Sequence, residues 1–199
     1  MGACGSAASP PANIERVNPL TLAQLAGRFA GRLECSVDES ALTTCVCALG
    51  EELFARGGSD MLVRVYRRDE ATGSSWVLDG DLVGHTDIIK VLAMVPGRGE
   101  PTGRWKGAGL ASAGLDSSVR LWCDGAESAV LLGHTSPVTE LRVVPQNTKL
   151  LISASRDGTA RVWSLDDDVQ LHVLDCAPRG PVNALALVPL GAELAVVTG

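Results

Sequence analysis

Apolar residues recur among polar neighbours in short stretches of this chain, and the stretches themselves recur. Val138, Leu141 and Val143 alternate with exposed-type residues, Val119, Leu121 and Val162 follow the same habit, and Ile89, Leu92 and Met94 follow it more loosely. Alternation over so few residues predicts half-buried strands rather than helices. Between two such strands in "SASRDGTARVW" stands Asp157-Gly158, a tight-turn pair, since glycine takes positive φ without a steric cost. A hairpin is expected there. One segment departs from the strand pattern: "NPLTLAQLAGRFAGRLE" sets Asn18 as a cap, Pro19 in the first turn, and Leu22, Leu25, Ala26, Phe29 and Leu33 at helical spacing. It predicts an amphipathic helix over 18–32, weakened by Gly27 and Gly31.

Comparing the chain with itself shows that the strands come in repeated units. "LVGHTDIIKVLAMVP" (residues 82–96) aligns without a gap to "LLGHTSPVTELRVVP" (131–145), and "LDCAPRGPVNALALVP" (174–189) keeps the outline. The second half of the unit is "LASAGLDSSVRLW" (110–122), "LISASRDGTARVW" (151–163) and, earlier, "LFARGGSDMLVRVY" (53–66). In all three an aspartate precedes an aromatic residue by six. A further apolar strand follows each aromatic, as in "AVLL" and "VQLHVL". Each unit therefore holds about four strands in roughly 40 to 50 residues.

With Gly-His near one end and a tryptophan near the other, the units resemble the WD-repeat family of β-propellers. The resemblance covers 33–199 and implies an all-β, incomplete propeller of about 3.5–4 four-stranded blades, preceded by a short N-terminal helix. Blades are expected near 37–78, 82–130, 131–173 and 174–199, after a disordered tail over 1–17. The last unit stops at Gly199, which aligns with Gly114 and Ser155, so the chain reads as part of a longer ring. It departs from the family pattern at several positions. Trp122 precedes Cys123 and Trp163 precedes Ser164 where the family has aspartate, and the first copy carries Tyr66 for tryptophan. Asp38 and Pro178 stand where the outer units would need histidine, which predicts weaker networks there.

Serine, histidine and aspartate in one unit also suggest a hydrolase. The family resemblance assigns them otherwise, as two structural tetrads: His85, Ser112, Asp116 and Trp122, and His134, Ser153, Asp157 and Trp163. An imidazole between a carboxylate and a hydroxyl, with an indole N–H on that hydroxyl, satisfies groups that packing would bury. A catalytic triad has no reason to appear twice at matched offsets with a tryptophan attached. No catalytic residue, cofactor or metal is therefore expected.

Composition narrows the partners. The chain has 199 residues, 46% of them hydrophobic, and a formal net charge of −6 with its 17 Lys+Arg scattered, which argues against nucleic acid. Its six cysteines lack disulfide or zinc spacing, and Cys45 and Cys47, two apart on a strand, are expected as small buried side chains. No apolar run is long enough to span a membrane. The start "MGACGS" fits N-myristoylation at Gly2, with Cys4 as a second acylation site, against the plainer reading of an Ala/Gly/Ser/Pro tail. The expected location is the cytoplasm or nucleus, or a membrane surface where Gly2 is acylated.

The resemblance further implies a non-catalytic scaffold that binds proteins or peptides on the propeller's upper face. Carried over by register, the partner-binding positions are Ile88, Lys90 and Leu115, then Pro137, Thr139 and Arg156, then Pro181 and Asn183. This mixed apolar and basic set suits an acidic or amphipathic peptide. Two alternatives stand beside it. One is a ubiquitin-binding or substrate-recognition propeller, since the long first link and the insertion before "LASAG" look like the phospholipase A2-activating protein family. The other is the propeller part of a larger enzyme. That insertion, 96–109, is eight residues longer than its counterpart and holds Trp105, either an exposed anchor for a partner or a side chain folded back on its own blade.

Overall fold

The computed structural model describes residues 41–71, 75–176, 180–190 and 193–199. All lie in one unit, Glu34–Gly199. The expected tail, the helix over 18–32, Gly2, Cys4, Asp38 and Pro178 fall outside the described residues.

The described residues form strands and turns, without a helix. The first sheet is β1 (Thr43–Ala48), β2 (Leu53–Gly58), β3 (Val63–Arg68) and β4 (Trp76–Leu82). The second is β5 (Ile89–Pro96), β6 (Ala108–Gly114), β7 (Val119–Cys123) and β8 (Ala126–Leu131). The third is β9 (Val138–Val144), β10 (Asn147–Ser155), β11 (Thr159–Ser164) and β12 (Val169–Asp175). Each is an antiparallel meander with its strands in chain order. A fourth sheet has two strands, β13 (Leu185–Leu190) and β14 (Glu193–Thr198).

Alternation along each strand buries both faces, because each sheet packs against its neighbour. Leu53, Ala55, Val63 and Val65 of the first sheet meet Ile89, Leu92, Leu110 and Trp122 of the second. Val91, Ala111, Val119 and Leu121 of the second meet Leu141, Leu151 and Trp163 of the third. Ile152, Ala154 and Ala160 meet Val182 and Leu185 beside the fourth sheet. Burying each large aliphatic side chain contributes about 1.5–3 kcal/mol, so the sheets stabilise one another in series. Cys45 and Cys47 lie partly buried against the first of these clusters.

Turn chemistry places the loops. In the β2–β3, β6–β7 and β10–β11 turns the residue after the aspartate is left-handed: Met61 at φ 64°, Ser117 at 63° and Gly158 at 83°. Gly114 is required for another reason: a Cβ there would lie 2.1 Å from the carbonyl oxygen of Ile88. Strands β1, β5 and β9 each bulge once near their start, at Thr44, Lys90 and Thr139.

Candidate functional site

The turns between β6 and β7 and between β10 and β11 lie at the same end of their sheets as the loops carrying His85 and His134. Leu115 N donates to Ile88 O at 2.9 Å, and Arg156 N to Pro137 O at 3.0 Å, joining turn to loop in each sheet. Beneath them the side chains of each predicted tetrad meet. In the second sheet His85 Nδ1 is 2.7 Å from Asp116 Oδ2, His85 Nε2 is 2.7 Å from Ser112 Oγ, and Trp122 Nε1 donates to the same Oγ at 2.7 Å. The third sheet repeats it: His134 to Asp157 at 2.8 Å, His134 to Ser153 at 2.7 Å, and Trp163 to Ser153 at 2.8 Å. Donor and acceptor counting makes Nδ1–H the donor to the carboxylate, and the serine O–H the donor to Nε2.

Each aspartate also ties the turn to the loop through the backbone. Asp116 accepts Thr86 N and Ser118 N, both at 3.1 Å, and Asp157 accepts Thr135 N at 3.1 Å and Thr159 N at 2.9 Å. Burial pushes both carboxyls up, but these hydrogen bonds and the histidines outweigh it. Asp157 is held down at about 2, and Asp116 well below the usual carboxylate range. Burial also lowers His134, against the pull of Asp157, which favours neutral imidazole at pH 7.

Asp–His–Ser is the connectivity of a hydrolytic triad, but the setting differs. Ser112 and Ser153 are 0% exposed, and the indole occupies the remaining face of each hydroxyl. An acyl carbon has no approach to an oxygen so enclosed. The first sheet uses other residues at these positions. Arg56 stands for the serine and Tyr66 for the tryptophan, and Arg56 Nε donates to Tyr66 Oη at 3.2 Å. Asp60 there pairs with Arg64 instead of a histidine.

Of the expected partner-binding positions, Lys90, Arg156, Pro181 and Asn183 are exposed, and Ile88, Leu115, Pro137 and Thr139 are half-buried. Thr139 also bonds within the fold. Its hydroxyl bonds Ala154 O at 3.2 Å and Val182 O at 2.8 Å, so it is taken up at the junction with the next repeat. Thr44 makes the same bridge, to Gly57 O at 3.1 Å and to Ile89 O of the second sheet.

The insertion is corrected. Trp105 is 1% exposed and packs among Leu49, Leu53 and Leu110, neither free for a partner nor confined to its own sheet. Around it Arg104 pairs with Asp79 at 2.8 Å and Lys106 with Glu52, both acids of the first sheet's loops and strands. In the other direction Arg98 donates to Leu165 O at 2.6 Å and pairs with Asp168 at 2.8 Å in the third sheet's last turn. The insertion thus binds three successive sheets at the end opposite the tetrads. No periodicity marks these residues, and the acids they meet are distant in sequence.

Successive four-stranded meanders with cores between them, the second and third pinned by a His–Asp–Ser–Trp set, define the blades of a β-propeller. Residues 76–123 and 125–164 match the family model described as WD domain, G-beta repeat, so the second and third blades are WD repeats. It is 44% identical over 63 residues to WD repeat-containing protein 97 of Homo sapiens, covering 31% of this chain and 4% of that protein. It is 38% identical over 60 residues to the tRNA (guanine-N(7)-)-methyltransferase non-catalytic subunit wdr4 of Xenopus laevis, covering 29% and 15%. Over 143 residues it is 29% identical to ribosome biogenesis protein YTM1 of Meyerozyma guilliermondii, covering 66% and 28%. The chain therefore spans less than a third of each of these relatives. WD-repeat proteins generally serve as protein-interaction scaffolds. Among the described residues no helix is long and apolar enough to cross a membrane.

Proposed function

We propose that this chain is a non-catalytic docking platform, and that the loop end above the tetrads takes an acidic or amphipathic peptide. The observation that carries this is a difference in how charges are used there. The acids are engaged: Asp87 accepts Ile88 N at 2.7 Å, and Glu140 pairs with Arg142 at 3.1 Å. Lys90 and Arg156 are exposed and have no ion pair among the described residues. Ile88, Leu115 and Pro137 supply half-buried apolar surface beside them, and Pro181 and Asn183 extend it. Enclosure of both serines supports the non-catalytic part of the reading, as does similarity to a relative named as a non-catalytic subunit. Such a platform works in the cytoplasm or nucleus, and acylation at Gly2 and Cys4 would add a membrane anchor.

Photo-crosslinking tests the surface. A benzophenone side chain at position 90, 115 or 156 should give a discrete protein adduct in cells, and one at 106 on the opposite end should not. Adducts confined to position 106 would overturn the assignment of the face. Intact mass of the protein from a eukaryotic host tests the anchor, which an unmodified Gly2 removes.

A further inference from the structure

We propose that Ser136 is a phosphorylation site for a proline-directed kinase, and that its phosphate claims Arg156 and so closes the third blade's share of the loop face to an acidic partner. The modification and the pairing stand by themselves; the closing of the face rests on the docking reading above.

Serine followed directly by proline occurs at Ser9-Pro10 and at Ser136-Pro137, and the second pair lies among the described residues. It sits in the loop between β8 and β9, outside any strand. Ser136 is half-buried, whereas Ser153 and Ser155 of the same blade are 0% exposed. Its hydroxyl makes no hydrogen bond among the described residues, so modifying it breaks none. The fold holds the backbone instead. Ser155 Oγ donates to Ser136 O at 2.8 Å, and Arg156 N donates to Pro137 O at 3.0 Å. These two bonds set Ser136 and Pro137 directly against Ser155 and Arg156, within the span of an arginine side chain.

The second blade shows what an anion does at this position. Asp87 aligns with Ser136, Ile88 with Pro137 and Leu115 with Arg156. Asp87 is absorbed locally, accepting the N–H of Ile88 at 2.7 Å, and the turn bonded to that loop carries a leucine. In the third blade the next residue is proline, which has no N–H to offer. The turn there carries Arg156, exposed and without an ion pair among the described residues. Acids of this blade are committed elsewhere: Asp157 to His134, Thr135 N and Thr159 N, and Glu140 to Arg142. A phosphate on Ser136 therefore meets Arg156 with no neighbouring N–H to hold it back. It brings a charge of about −1.5 to −2 at pH 7 and acceptor oxygens that a guanidinium meets as a fork.

The phosphoryl group comes from ATP. Ser136 Oγ bonds to the γ-phosphorus, the bond from that phosphorus to the β–γ bridging oxygen breaks, ADP leaves with the electron pair, and the hydroxyl proton passes to the kinase's base.

The test treats the whole 199-residue chain with a purified cyclin-dependent kinase and Mg-ATP. Fragment masses should place a phosphate on Ser136 that Ser136→Ala removes. Ser9→Ala takes away the other Ser-Pro site, so that phosphorus NMR of the modified chain reads Ser136. Its phosphate should titrate below about 6, the ordinary second ionisation of phosphoserine, and return to about 6 in Arg156→Gln. With benzophenone at position 115, which leaves Arg156 in place, phosphorylation should cut the protein adduct about tenfold, the loss of one charged hydrogen-bonded contact. Kinase treatment of Ser136→Ala should leave that adduct unchanged. Phosphate confined to Ser9, or the same titration with and without Arg156, would overturn the proposal. An adduct at 115 indifferent to phosphate overturns the closing of the face. No adduct at 115 from the unmodified chain overturns the docking reading instead, and the pairing then stands or falls on the NMR titration.

Discussion

Arg98 donates to the carbonyl oxygen of Leu165 across the junction between the second and third blades, at 2.6 Å. The contact joins an insertion of one repeat to the last turn of the next. Trp105 does the same toward the first blade through packing. Trp105→Ala is expected to lower stability by about 3–5 kcal/mol, the range for removing a buried aromatic. Arg98→Ala should cost about 1–3 kcal/mol, because Leu165 O and Asp168 lose a charged donor. Trp105→Phe should cost less than the alanine change, as Nε1 is buried without a partner among the described residues. Urea unfolding of the three variants checks the order.

The turns make a second prediction. Met61 and Ser117 hold the left-handed backbone that Gly158 holds in the third blade. Side chains there cost about 1–3 kcal/mol of strain, against about 0.5–1 kcal/mol of chain entropy for glycine. Ser117→Gly and Met61→Gly should therefore stabilise by about 0.5–1 kcal/mol, and Gly158→Ala should destabilise. Thermal melting of each single variant gives the sign.

Much of this was legible in the sequence, and the limits have physical causes. Matched offsets among Ser153, Asp157 and Trp163 and their copies at Ser112, Asp116 and Trp122 place these side chains together, because antiparallel register is set by the turn. Arg56 and Tyr66 hid a substitute contact, since an arginine at a serine position reads simply as a loss. Trp105 was ambiguous for want of periodicity: its burial depends on an adjacent blade, and nothing local encodes that. Thr139 sits on a bulge, where the extra residue turns a side chain expected at the surface toward the next blade.

Acid sensitivity follows from the tetrads. Asp157 titrates at about 2 in the fold against 3.8 as an ordinary carboxyl, and His134 lies below its ordinary 6.5. Both values are depressed, so the unfolded chain binds more protons and stability falls on acidification. The His134 share is complete above pH 6.5 and fades below it. The Asp157 share, about 2 kcal/mol, is complete above 3.8 and is lost as pH falls through about 2. Urea midpoints from pH 8 to 3 should decline in that order, and Asp157→Asn should flatten the lower stage.

Neighbouring residues 156 and 157 separate the two roles assigned to the loop end, and thermal denaturation of Asp157→Asn beside Arg156→Glu tests them together. Asp157→Asn should remove about 1–3 kcal/mol and lower Tm by about 2–4 °C per kcal/mol, whereas Arg156→Glu should leave Tm within about 1 °C and abolish the crosslinked adduct. An unchanged Tm for Asp157→Asn, or an equal fall for Arg156→Glu, would contradict the division between pinning network and docking surface.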